Sequence, residues 1–243
     1  MAVDGSGNVV VTGTSVGNGS GYDYYTAKDA AADGTILWEK RYNGPANGDD
    51  EASAVGVDGS GNVVVTGSSS SGTNSANGDY YTAKYAAADG ALLWEKRYNG
   101  PGNDYYNHDY ASAVAVDASG SVVVTGISLG NGGYDYYTAK LAAVDGALLW
   151  EKRYNGPAKN NDFAKAIAVD GSGNVVVTGS SGYEDYWGEY YDYYTAKYAA
   201  ADGALLWDKR YNGQANRNDT ASALAVDGSG NVGAQSRDVG NSR

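Results

Sequence analysis

The chain has one histidine, His108, set in the run Asn103 to Tyr110 close to Asp104 and Asp109. An imidazole titrates near neutral pH, so beside carboxylates it could serve as a general base or a metal ligand. A lone loop histidine is more often simply solvated, and no catalytic residue is assigned. A second pattern is Asp4-Gly5-Ser6-Gly7-Asn8 and its repeats, which put side-chain oxygens at alternate positions. A calcium loop of the EF-hand type also needs a bidentate glutamate downstream, and none follows. The expected role is a hairpin turn, in which the aspartate accepts backbone hydrogen bonds and the glycines supply positive φ. No metal site and no cofactor are expected. The glycines join strand to strand with no helix after them, so they form no phosphate cradle. No serine sits in a nucleophile elbow.

The best chemical signal is aromatic. The segment Asp104 to Tyr110 carries Tyr105, Tyr106, His108 and Tyr110, and the segment Tyr183 to Tyr191 carries Tyr183, Tyr186, Trp187 and Tyr190. Tyr and Trp offer large contact area for few rotatable bonds, while Gly, Ser and Asn adapt their hydrogen bonds, which is the composition of recognition loops. Glycan stacking and protein contact would both use these residues. The competing reading is gap filling, since the chain has 23 tyrosines against one phenylalanine and uses tyrosine throughout.

Composition narrows the partners. A formal charge of −12, without any Lys/Arg cluster, repels phosphate backbones and anionic headgroups, so nucleic acid is not an expected partner. No stretch is apolar and long enough to span a bilayer, and Met1 leads into a repeat with no signal-like segment before it. There is no cysteine, which excludes disulfides, thiolate catalysis and cysteine-ligated metals.

What positions the aromatic segments is a repeat. Leu-Trp-Glu-Lys-Arg-Tyr or a close variant recurs with its tryptophan at Trp38, Trp94, Trp150 and Trp207, at spacings of 56, 56 and 57 residues. Asp-Tyr-Tyr-Thr-Ala-Lys begins at Asp23, Asp79, Asp135 and Asp192. A valine-rich block begins at Val3, Val57, Val116 and Val169, and starts again at Val226. In the third copy the pattern predicts four strands: Ala111 to Asp117, small and apolar; Val122 to Gly126, β-branched and apolar on both faces; Asp135 to Leu141; and Ala147 to Tyr154. In the last, Leu148, Trp150, Lys152 and Tyr154 share one face and Leu149, Glu151 and Arg153 the other. Its charged second half predicts an exposed edge strand, because charge there blocks edge-to-edge association. Four antiparallel strands per repeat and no helix describe a propeller blade. The expected fold is therefore all-β, a β-propeller of four four-stranded antiparallel blades.

The connections divide into two kinds. The turns from first to second strand and from third to fourth strand are nearly invariant among the copies, whereas the other two connections differ in length and composition. Alternate connections of an up-and-down blade emerge on the same side. Both aromatic segments therefore belong to one variable face, and the short constant turns to the other.

The stretch Ala-Ala-Ala-Asp-Gly-Ala-Leu-Leu-Trp-Glu-Lys-Arg-Tyr-Asn-Gly resembles the tryptophan-docking segment of pyrroloquinoline-quinone-type propeller repeats, and the whole unit resembles the bacterial beta-propeller repeat (SBBP). The resemblance implies that Trp38, Trp94, Trp150 and Trp207 pack between neighbouring blades, and that the setting is a bacterial cell envelope or secreted one. It also raises a quinoprotein dehydrogenase. Those enzymes usually have eight blades and often an adjacent-cysteine disulfide, and this chain has half the blades and no cysteine.

The expected organisation is one repeat domain over 1–232, with repeats near 1–51, 52–110, 111–163 and 164–220, a partial repeat over 221–232 and an irregular tail over 233–243. Open edges must be eliminated in a ring. Ala221 to Asp227 is accordingly expected to close the ring by filling the inner position of the blade formed by Val9 to Tyr42, within one chain or across two in a homo-oligomer. The expected function is a non-enzymatic binding module with a glycan or protein ligand on the variable face. A structural assembly module whose blades combine across chains is the second reading, and a quinoprotein-like enzyme the third.

Overall fold

The computed structural model describes residues 1–17, 21–71, 78–101, 108–130, 132–185, 188–213 and 218–238. The first sheet holds β1 (Ala2–Val3), β2 (Val9–Val16), β3 (Tyr22–Asp29) and β4 (Ile36–Tyr42). The second holds β5 (Asp50–Val57), β6 (Val63–Ser70), β7 (Gly78–Tyr85) and β8 (Leu92–Tyr98). The third holds β9 (Asp109–Val116), β10 (Val122–Gly130), β11 (Gly133–Leu141) and β12 (Leu148–Tyr154). The fourth holds β13 (Asp162–Val169), β14 (Val175–Asp185), β15 (Gly188–Tyr198) and β16 (Leu205–Tyr211), and β17 (Asp219–Val226) pairs with β18 (Val232–Asp238). Among the described residues the named strands pair antiparallel with their neighbours in sequence, as in Val122↔Val116 and Val122↔Leu141. Each sheet is thus a meander.

The strands β5, β9, β13 and β17 pack successively against one another and form the inner edge, which leaves β4, β8, β12 and β16 outermost. Small side chains suit the inner position because neighbouring backbones converge there. Each of these inner strands from β5 onward carries one extra residue against its partner, as where the register shifts between Thr125 and Gly126. The glycine of the second strand answers that bulge. A Cβ on Gly126 would collide with the Tyr110 carbonyl oxygen and lie 2.7 Å from the hydroxyl of Tyr80 in the preceding sheet. Cores form between sheets: Val64, Tyr80 and Trp94 of the second interlock with Val122, Val124 and Tyr137 of the third.

The expected ring closure is not what the chain does. The inner position of the first sheet is taken by β1, through Ala2↔Val10 and Val3↔Val9. Of the segment Ala221 to Asp227, all but Asp227 lies in β17, which packs on β13, β14 and β15 and pairs with β18, beginning a fifth blade. Backbone pairing needs no valine run, so β18 continues through Gly233 to Asp238, where an irregular tail was expected. Among the described residues the architecture is four four-stranded sheets and a two-stranded fifth.

Candidate binding face

The constant turns assemble one face. Asp58 Oδ1 accepts hydrogen bonds from the amides of Ser60 and Asn62, both at 2.9 Å, and its Oδ2 lies 2.8 Å from Lys84 Nζ. Lys84 also donates to the carbonyl oxygen of Ala143 in the next sheet at 3.1 Å, and the indole of Trp94 donates to the same oxygen at 3.2 Å. The set recurs as Asp4, Lys28 and Trp38 on Ala87, and as Asp117, Lys140 and Trp150 on Ala200. Gly90, Gly146 and Gly203 let the rings of Trp38, Trp94 and Trp150 seat against the turn, since a Cβ on any of them would come within 2.8 Å of the indole. Trp207 is only half-buried. Its sheet is followed by β17 and β18, without a counterpart of the acceptor turn among the described residues. These carboxylates serve turn and interblade coupling. Burial raises the Asp170 carboxyl, but bonds from Lys197 and Asn174 outweigh it and hold the group down to about 2.

The opposite face is fastened differently. Asp50, Asp109, Asp162 and Asp219 open the inner strands, and their carboxylates accept from the amides of Gly44, Gly100, Gly156 and Gly213. Ser69 also bonds Asp50. Arg97, from the outer strand, reaches Ser69, pairs with Asp79 at 3.0 Å and donates to the Tyr42 hydroxyl of the preceding sheet at 3.3 Å. Arg153 repeats this with Ser128, Asp135 and Tyr98. The charged half of the outer strand is therefore more than an edge guard, because its arginine closes a buried network. Burial pushes the carboxyls of Asp50, Asp109 and Asp162 above their ordinary range.

Above these anchors the two variable connections are tied together. Asp49, Asn161 and Asn218 each accept, through Oδ1, the amide of Tyr22, Tyr134 and Tyr191, all at 3.0 Å. His108 holds the same place in the second and third sheets, where it bridges Gly78. Its ring lies 5.5 Å from that of Tyr110. The position gives His108 a loop-tying role through that bridge.

Of the aromatic residues singled out from sequence, Tyr110, Tyr183 and Tyr190 are half-buried on this face, and Tyr183 pairs with Tyr190 across the β14–β15 hairpin with ring centroids 5.7 Å apart. Tyr105, Tyr106, Tyr186 and Trp187 lie outside the described residues. Sequence reasoning missed a row that the fold brings together from three strands. Tyr134 of β11, Phe163 of β13 and Tyr191 of β15 follow one another at centroid distances of 6.3 and 5.7 Å. Lys165 Nζ stands 5.8 Å from the Phe163 ring. One signal was available: Phe163, the single phenylalanine, occupies the place of Glu51, Tyr110 and Thr220 in the other inner strands. The row offers flat apolar contact with a cation at its edge. The fit for a quinone and calcium is poor, because the chain has no cysteine and the buried carboxylates are engaged by arginine, lysine, serine and backbone amides.

Sheets of this form, joined through tryptophan and lysine, define a propeller-repeat protein. The sequence model of the family described as "Outer membrane protein assembly factor BamB", a PQQ-type repeat family, matches residues 1–182 and again 79–241, and the chain belongs to that family. No curated protein matches the chain. Among solved structures it is similar to Sqt1 of Chaetomium thermophilum bound to the N-terminus of the ribosomal protein L10, at 11% identity and a TM-score of 0.62, over 97% of this chain and 55% of that one. It is similar to the quinohemoprotein alcohol dehydrogenase ADHIIG of Pseudomonas putida HK5 at 15% identity and a TM-score of 0.53, over 97% of this chain and 38% of that one. BamB of Moraxella catarrhalis is similar at 14% identity and a TM-score of 0.44, over 87% of this chain and 65% of that one. Identities this low show the fold alone. The chain spans less than two thirds of the length of each of these proteins.

Proposed function

We propose that the chain is a non-enzymatic propeller-repeat binding protein, and that its face of variable connections takes a protein segment. The observation that carries this reading is the half-buried row Tyr134, Phe163 and Tyr191 on a face whose loop bases are pinned by buried Asp–Arg–Ser networks. Preorganised aromatic side chains on a rigid scaffold are where binding energy concentrates. The charge of −12 favours a cationic partner by steering its approach. The family description, that of an assembly factor, and the protein segment bound by Sqt1 both agree with a protein ligand. The same family description agrees with a bacterial envelope setting.

The test is a peptide array of basic sequences and a glycan array, each probed with the whole chain. Peptides should be retained, and Phe163→Ala or Tyr191→Ala should weaken retention at least tenfold, a loss of about 1.4 kcal/mol in binding, while lowering stability by no more than about 1 kcal/mol. Retention of glycans alone, or equal retention by both variants, overturns the reading.

A further inference from the structure

The three interfaces among the first four sheets differ in the residue packed against the tryptophan. The last residue of the third strand faces the tryptophan of the preceding sheet. Tyr85 holds this place against Trp38 and Tyr198 against Trp150, each with ring centroids 6.4 Å apart and each 6% exposed. Between the second and third sheets the residue is Leu141, against Trp94. Leucine lacks the phenol ring that fills the other two interfaces, and packed interiors do not close over a missing ring without cost.

A cavity of about 280 Å³ lies at this interface, lined by Tyr98, Tyr137, Leu141, Leu148, Lys96 and Glu151 among others. Tyr98 and Tyr137 are stacked at 3.8 Å and make an aromatic wall. Apolar cavities of about 150 Å³ are known to hold a benzene ring, so the space admits one ring with a small substituent. The polar end is also specified. The Tyr137 hydroxyl donates to Glu151 Oε2 at 2.7 Å, which leaves its oxygen as an acceptor. In the preceding interface the counterpart Tyr81 donates to Glu95 Oε2 at 2.7 Å in the same way. The group missing at Leu141 is therefore the phenol ring that Tyr85 and Tyr198 supply in the other two interfaces.

We infer that the cleft between the second and third sheets, opened by Leu141, is a binding site for a small uncharged para-substituted phenol. The site shares no residue with the aromatic row and does not depend on that reading. Calorimetric titration of the whole chain with p-cresol tests it. One site per chain is expected, with toluene binding at least tenfold more weakly. Leu141→Tyr should weaken p-cresol binding at least tenfold, and Tyr198→Leu should raise the stoichiometry to two. An unaltered titration in Leu141→Tyr, or no binding by the unaltered chain, overturns the inference. Toluene binding as tight as p-cresol would overturn the phenolic assignment. Should Leu141→Tyr not fold, p-cresol must still perturb the methyl resonances of Leu141 and Leu148 in the unaltered chain, and shifts confined to other methyl groups would overturn the site.

Discussion

The two faces of the sheets are built from the same strands and differ in what their connections are held to. On the constant face a carboxylate, a lysine and an indole all converge on the next sheet, so that Lys84 and Trp94 share one acceptor, the Ala143 carbonyl. A substitution in such a turn breaks contacts in two repeats at once. On the variable face the carboxylates of Asp109 and Asp162 hold only the base of the loop, through the Gly100 and Gly156 amides. Beyond that anchor the connections differ in length and composition from one repeat to the next. Sequence uniformity thus marks coupling, and divergence marks the place where a ligand surface costs the fold least.

The largest effect that would break this contrast is at the lysine. Lys84 and Asp58 have side chains only 4% and 6% exposed, so Lys84→Met leaves a buried carboxylate without its counter-charge. Removing one partner of such a pair costs about 3–5 kcal/mol, to be measured by denaturant unfolding. A loss below about 1 kcal/mol would mean that the turn does not depend on the pair. Next is Gly126→Ala, whose methyl group would strike the Tyr110 carbonyl oxygen and crowd the Tyr80 hydroxyl. Overpacking of this kind costs about 1–3 kcal/mol, and the same measurement should show it against a neutral Gly5→Ala, where nothing lies within 4 Å.

A smaller effect sharpens the comparison through pH. At Asp58 burial raises the carboxyl and the Lys84 and Asn62 bonds outweigh it, so its folded pKa is below the ordinary 3.8. Its contribution is present above that value and is lost as pH falls through the folded pKa. At Asp109 burial dominates and the folded pKa is above 3.8. Its ionisation opposes folding at neutral pH, and the opposition is relieved as pH falls through the folded pKa towards 3.8. Unfolding free energies measured from pH 7 downwards should show the deficit of Asp58→Asn shrinking in acid. The unaltered chain should gain relative to Asp109→Asn over the same descent. Slopes of the same sign would remove the distinction between the faces.

Much of this was legible in the sequence. The repeats, the four strands and the side on which each connection emerges follow from turn residues and antiparallel alternation, and Val122↔Leu141 shows the strands meeting as that pattern requires. Closure was not legible. Two residues, Ala2 and Val3, suffice to occupy an inner edge, and β18 pairs through its backbone with little side-chain signal. The arginine networks were read as edge charge, because Asp135 and Arg153 are 18 residues apart and meet only across paired strands. The row Tyr134, Phe163 and Tyr191 was missed for the same reason, since it is assembled from three strands and no one segment contains it.

The most direct test compares one aromatic residue from each face in a single experiment. Equilibrium unfolding of Trp94→Ala should show a loss of about 3–5 kcal/mol, as removal of a large buried ring does, because this indole is buried and bonded to the next sheet. Phe163→Ala, from the half-buried row, should lose about 1 kcal/mol or less. Equal losses from the two would contradict the account, since the aromatic row would then be holding the fold together in place of presenting a surface.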